Sequence, residues 1–295
     1  MARLAGLEQH AAPGTRTSYS QVGYNLAGRI IEKVTGLTFE RAVATLLLEP
    51  PGLRDTRYAM DDIMARPAVA MGHNADENGQ YAIARQWKDN RANNPGGGVA
   101  SSVADQLRWA RFHLGDGHAP GGTQVLPAET LHQMRVPTAE LQSSTLGDAI
   151  GIGWFLRDIG GVRTVGHGGS GNGQFAELLM VPERDFAIVV ASKASPGGIS
   201  CNQAIVRRAL EHYLGVVDRD PEPEPHDKVR AAEIVGAYDN DAMTFTITAD
   251  GAGLCWRSCS SRRSARPRRS RCPPTTTRST SGCYPETSTS SPAAR

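Results

Sequence analysis

Two apolar stretches, QFAELLMV (residues 174–181) and FAIVVAS (residues 186–192), stand four residues apart, with PERD between them. Each has the length and the β-branched or apolar content of a strand, and PERD has the composition of a turn. Four residues leave no room for a crossover helix, so this pair reads as an antiparallel hairpin. Upstream, GIGWFLRD alternates Ile152, Trp154 and Leu156, and VRTVGH offers a further strand.

The segments before these strands read as helices. Val22, Leu26, Ile30 and Val34 recur every four residues and end at Gly36. Thr38 is placed to cap a second helix, which stops before Pro50-Pro51. Residues 53–94 are polar and irregular and read mostly as loop. SSVADQLRWARFHLG carries a capping box, Ser102 to Asp105, an apolar face of Val103, Leu107, Ala110 and Leu114, and a stop at Gly115. A short helix near 127–134 follows. After the strands, Ser200 and Gln203 form another capping box, opening a helix that runs to Leu214. The order is helices, then strands, then one helix, which is an α+β arrangement with a mainly antiparallel sheet flanked by helices.

Composition sets outer limits. Hydrophobic residues make up 39% and charged residues 21% of the 295, enough for a sizeable core. No run of 18 apolar residues is present, so no membrane-spanning helix is expected. The opening residues, MARLAGLEQHAAPG, do not have the form of a signal peptide, and the compartment stays open. The charge is unevenly placed. Residues 257–295 hold nine Arg and one acid, Glu286, so the net +2 of the whole divides into +8 there and −6 in residues 1–256. That stretch contains no Leu, Ile, Val, Met or Phe, and four of the five cysteines lie at 255, 259, 272 and 283. Their spacing fits no common zinc pattern. A segment without aliphatic side chains cannot offset its ordering entropy, so residues 257–295 are expected to be disordered. An Arg/Ser-rich stretch is compatible with RNA binding. An abrupt change to Arg, Ser, Pro, Thr and Cys is also what a GC-rich gene yields when read out of frame. The second reading is preferred, and no nucleic-acid partner is expected.

Gly166 to Gly171 spells G-x-G-x-x-G, the fingerprint of a dinucleotide loop. That reading needs a helix between Gly173 and Pro182 and an acid where Lys193 stands, and it is kept as the lesser alternative to a hairpin. A second signal is the Tyr19-Ser20-Gln21 tripeptide just ahead of the first amphipathic helix.

Taken in order, PGTRTSYSQVGYNLAGRIIEKVTG (13–36), LLLEPPGLRDTRY, NPGGGVASSVADQLRWARFHL, IGWFLRD and VGHGGSGNG resemble one family closely. It is the β-lactamase-related serine hydrolase superfamily, with class C β-lactamases, D,D-carboxypeptidases and esterase relatives. The resemblance covers about residues 8–215. It implies a β-lactamase/transpeptidase-like fold, acyl transfer on a small ester or amide, and no metal or cofactor. It also implies that Tyr19 is the tyrosine of the second motif, shuttling the nucleophile's proton. Gln21 takes the place of that motif's Asn, one methylene longer. His167, Gly168 and Gly169 form the third motif, a strand that edges the substrate. The backbone N–H of Ser170 is half of an oxyanion hole.

The first motif of the family, Ser-x-x-Lys, does not occur. The lysines are Lys33, Lys88, Lys193 and Lys228, and three residues before them stand Ile30, Arg85, Val190 and Pro225. The chain is therefore expected to lack its nucleophile segment at the N-terminus and to be inactive as it stands. A binding pseudoenzyme is the alternative. The expected organisation is a β-lactamase-related domain over 1–215, mostly helical in 1–150 with the strands and closing helix in 151–215. A stiff linker over 216–226, containing DPEPEP, follows. The start of a small β module over 227–256 and the 257–295 tail complete it. Substrate identity and oligomeric state are not legible.

Overall fold

The computed structural model describes residues 6, 11–15, 17–85, 90–141, 144–219, 228–239, 243–250 and 253–260. The chain divides into two compact units, one ending at Arg219 and the other starting at Asp220.

The centre of the first unit is a six-stranded, wholly antiparallel sheet in sequence order. Its strands are β3 (Ala139–Glu140), β4 (Ala149–Ile150), β5 (Phe155–Ile159), β6 (Val162–Gly171), β7 (Gln174–Val181) and β8 (Phe186–Ser192). The near-continuous apolar sequence of β7 has a direct cause, since helices cover both faces of the sheet. Leu179 and Val181 point to one face, where they meet Val206 and Leu210 of the closing helical segment. Leu178 and Met180 point to the other, into a cluster with Ala110, Trp154, Leu156 and Val165. The covering helices are α6 (Gly198–Ala209) and α4 (Val103–Leu114).

The β6–β7 turn is Asn172-Gly173, with φ of 41° and 78°. Two positive values make the two-residue hairpin turn that Asn-Gly favours, because its twist matches that of the strands. β6 therefore runs through the glycines to Gly171 rather than stopping at His167. The stretch that a dinucleotide loop would need as helix is strand β7, paired residue by residue with β6.

Several local expectations are corrected. Ile152 sits in a turn closed by a Gly151 N–H to Trp154 carbonyl bond, so only Trp154 and Leu156 of the alternating trio are buried. Residues 53–94 are mostly loop and turn, as expected, but they also hold short elements: α3 (Met60–Met64), strands β1 (His73–Ala75) and β2 (Tyr81–Ile83) and a 3-10 turn, Arg91–Gly96. β1 also pairs in parallel with β9 (Ala194–Ser195). These elements are too short for periodicity to show them. α6 starts at Gly198, capped by Gly197 in the left-handed region, and the Ser200 hydroxyl lies inside the helix, donating to the Gly197 carbonyl. The first unit reaches past residue 215: Val216 is buried in its core, and Asp218 accepts from Arg157 and Arg207.

The helix α1 (Gln21–Thr35) begins and ends where the sequence indicates. Ser20 Oγ accepts from the Val22 N–H, and Gly36 closes the helix at φ 70°. Its apolar face, however, is uncovered. Val22, Leu26, Ile30 and Val34 are all exposed, Val34 by 80%, and the buried position is Gly28 on the opposite side. Val103 and Leu107 of α4 are likewise exposed, while Asp105 of the same helix is fully buried. Asp105 is buried because its carboxylate has partners. It accepts from the Asp55 N–H at 2.6 Å, the Thr56 hydroxyl at 2.9 Å and Arg108 at 2.7 Å, tying a segment fifty residues away to the start of α4. Its N–H bonds the Ser102 hydroxyl, the expected half of the capping box.

Among the described residues, the second unit holds α7 (Lys228–Ile234) and a three-stranded antiparallel meander. Its strands are β10 (Gly236–Asp239), β11 (Met243–Asp250) and β12 (Gly253–Ser260). β12 continues four residues beyond Trp256, against the expectation of disorder from 257. Thr246 pairs Arg257 and Met243 pairs Ser260, and backbone pairing of this kind needs no aliphatic side chains. The rest of the expected disordered segment, 261–295, lies outside the described residues. No described helix is long and apolar enough to cross a membrane.

His113, near the end of α4, is fully buried and ringed by Trp109, Phe112 and Trp154. Neither ring nitrogen has a hydrogen-bond partner among the described residues. Burial, helped by the charge of Arg135, pushes its pKa down to about 4 from 6.5. Above pH 6.5 the imidazole is neutral folded and unfolded alike. As pH falls from 6.5 to 4 the unfolded chain takes up the proton first, so about 3 kcal/mol of stability is lost across that window. His113→Phe should remove this share of the acid sensitivity. Urea unfolding at pH 7.5 and pH 4.5 is expected to show a smaller stability difference in the variant than in the parent, and equal differences would refute the assignment.

Candidate active site

Tyr19 precedes the N-cap of α1 and His167 lies midway along β6, yet their ring centroids are 6.1 Å apart. They are 148 positions apart in sequence. Phe155, the first residue of β5, completes the group. Its ring stacks on His167 at 4.9 Å and on Tyr19 at 5.8 Å. Phe155 carries no motif signal. It is found only because β5 starts opposite Gly166 and so sets its ring beside the next residue of β6.

The chemistry open to His167 is narrowed by one bond. Its Nδ1 lies 2.6 Å from the Gly168 carbonyl oxygen. A carbonyl only accepts, so Nδ1 carries a hydrogen and the neutral ring presents Nε2 as a lone pair. Tyr19 is 56% exposed, so its phenol is available to a ligand.

Beyond Gly166, β6 has no partner on the β5 side among the described residues, because β5 begins opposite that glycine. Residues His167 to Gly171 therefore pair with β7 alone and leave one backbone edge open. The two glycines of this segment differ. A Cβ at Gly168 would come within 2.7 Å of the Glu177 carboxylate across the ladder, the flexible end of a side chain that would have to shift aside. A Cβ at Gly169 would meet nothing within 4 Å, so the space over it is empty. Burial raises the pKa of Glu177, a residue the sequence did not single out. Ser170 is exposed near the hairpin tip. The tip itself is braced: Asn74 donates to the Asn172 side chain, and Gln174 donates to the Ala70 carbonyl.

Gln21 is held by a neighbour that the sequence did not reveal. Asn93 Nδ2 donates to Gln21 Oε1 at 3.1 Å, and Asn25 Nδ2 donates to Asn93 Oδ1 at 3.0 Å. Asn93 lies in the Arg91–Gly96 turn, which Glu40 anchors by accepting from Arg91 and Asn94. Ser20 serves as the helix cap, its hydroxyl accepting from Val22 N–H at 3.2 Å. Among the described residues, no group of three or more His, Cys, Asp or Glu side chains is placed to hold a metal ion.

A family model described as Beta-lactamase matches residues 1–211. The chain belongs to the Beta-lactamase family. It is 34% identical over 247 residues to Penicillin-binding protein 4 of Amycolatopsis lactamdurans, covering 80% of this chain and 63% of that protein. Among solved structures, that of SurE aligns with a TM-score of 0.66 at 25% identity, over 88% of this chain and 60% of SurE. The octameric penicillin-binding protein homologue of Pyrococcus abyssi aligns with a TM-score of 0.62 at 23% identity, over 85% and 56%. The chain thus spans less than two thirds of each of these relatives. The fold is that of β-lactamases and transpeptidases, a mixed α+β arrangement with an antiparallel sheet flanked by helices.

The frame of this site depends on how closely α1 approaches the Arg91–Gly96 turn. A Cβ at Gly28 would overlap the Pro95 ring, so only glycine allows the approach. Gly28→Ala should destabilise the first unit by about 1–3 kcal/mol, because overpacking outweighs the better helix propensity of alanine. A urea melt of the variant that is unchanged or more stable would show that α1 does not need this contact.

Proposed function

We propose that these residues form the substrate side of a serine hydrolase site that transfers the acyl group of an ester or amide to water. The observation that carries the reading is the meeting of Tyr19 and His167 beside an open strand edge. In this reading the substrate lies along His167–Gly169, where the space over Gly169 gives its backbone room to pair. Tyr19 takes the proton from the attacking hydroxyl and returns it to the leaving group. The Ser170 N–H supplies half of the oxyanion hole. His167 Nε2 accepts from the substrate, or donates to it when protonated. Gln21, fixed by Asn93, offers its amide N–H to the substrate.

The nucleophile is not among these 295 residues. No Ser-x-x-Lys occurs, and Ser20, the serine next to Tyr19, is engaged as a helix cap. We assign the nucleophile to a segment outside the sequence given. The exposed apolar face of α1 supports this, because Val22, Leu26 and Ile30 make a helical stripe that the described residues leave about half uncovered. The same absence supports a second reading, a pseudoenzyme that binds without turnover.

The chain as given should not be labelled by a fluorescent penicillin or a fluorophosphonate. In well-studied triads, loss of the nucleophile costs about a million-fold in turnover. Stoichiometric labelling at any serine of this chain would refute the proposal. Extending the chain with the upstream genomic sequence should restore labelling at a serine followed three residues later by lysine. Failure of the extended, folded protein to label would favour the pseudoenzyme.

A further inference from the structure

A second cleft lies on the helical side of the first unit, and none of the residues placed at the candidate active site lines it. It is open and has a volume of about 1330 Å³. Five arginines line it: Arg54, Arg57, Arg66, Arg108 and Arg111. They come from the segment before α3, from just beyond α3 and from α4, so no single helix face accounts for the cluster. Leu48, Leu53, Phe112 and Ala119 give the cleft an apolar floor.

The charges do not balance inside the cleft. Arg66 is bonded to Asp55, and Arg108 to Asp105. Glu49 is the one carboxylate on the lining itself. Arg54, Arg57 and Arg111 have no ion-pair partner among the described residues. Arg57 gives one N–H to the backbone carbonyl of Arg54. Its Nε is buried and has no acceptor among the described residues. A guanidinium donor shut away from water without an acceptor is unfavourable, and so are like charges gathered around one cavity. The clustered charge is relieved by one kind of occupant, an anion that accepts from the exposed N–H groups of several guanidiniums together. Guanidinium groups fit planar or tetrahedral oxyanions through paired N–H donors. The volume exceeds the usual range for a single small ligand, which leaves room for several anionic groups and an apolar body on the floor.

We propose that this cleft is a binding site for a multivalent anion, a ligand bearing two or more phosphate or carboxylate groups. Arg54, Arg57 and Arg111 are its principal contacts, and Leu53 and Phe112 support its apolar part. The site is separate from the proposed hydrolase chemistry and does not depend on it.

Calorimetric titration of the full chain with sodium pyrophosphate and with tricarballylate tests this. At low ionic strength at least one should bind saturably, with a Kd below about 1 mM, and should weaken as sodium chloride is added. The tighter of the two assigns the site to phosphate or carboxylate ligands. Arg54 and Arg111 are exposed and form no ion pair, so Arg54→Gln and Arg111→Gln should fold normally. Each should bind about tenfold more weakly. Arg184→Gln, outside the cleft, should bind as the parent does. No saturable binding of either probe would overturn the proposal. So would binding that is unchanged in the folded Arg54→Gln and Arg111→Gln variants.

Discussion

The burial of β7 on both faces is the constraint from which the rest of the first unit follows. Leu178 and Met180 on one side and Leu179 and Val181 on the other cannot all leave water unless a helix lies on each face. That requirement fixes α4 and α6 against the sheet and, through the hairpin pairing, fixes β6 beside β7. β6 thereby becomes a rigid rail for the candidate site, and the side chains of His167 and Ser170 are held by a ladder rather than by a loop. Rigid placement of this kind is what substrate positioning needs.

The helical part is joined differently. Carboxylates that are buried or partly buried, and close backbone approaches, act there beside apolar burial as the fasteners. Asp105 ties the segment around Thr56 to α4, Glu40 ties the start of α2 (Phe39–Val43) to the Arg91–Gly96 turn, and Gly28 seats α1 against Pro95. Such bonds position elements without covering their apolar faces. That is why α1 and α4 can be well formed and still expose Ile30, Val34, Val103 and Leu107.

What was legible in the sequence follows the same division. β7 and β8 could be read because they are apolar runs with a turn between them, and the end of α1 and the cap of α4 could be read from Gly36 and Ser102. The pairing of Tyr19 with His167 could be reached only through the family resemblance, since no periodicity links residues so far apart. Phe155 and Asn93 could not be read at all, because their roles come from register and from a turn that meets α1 in space. The Asn172-Gly173 signal stands in the sequence, but it follows glycines that also spell a dinucleotide fingerprint. The apolar faces of α1 and α4 stand in the sequence as regular stripes. Their pattern is real, but periodicity reports amphipathicity and not whether a partner is present.

The meeting of Tyr19 and His167 also has a meaning for the order of folding. β5 to β8 are joined by three short connections, so the main part of the sheet is built from neighbours in sequence. Local pairings of this kind close small loops and form early. The Tyr19 contact closes a loop of 148 positions and is held mainly by ring contacts and by an amide chain through Asn93 and Gln21. The site is therefore a late addition to an already formed scaffold. Its opening draws on the low end of the local stability range.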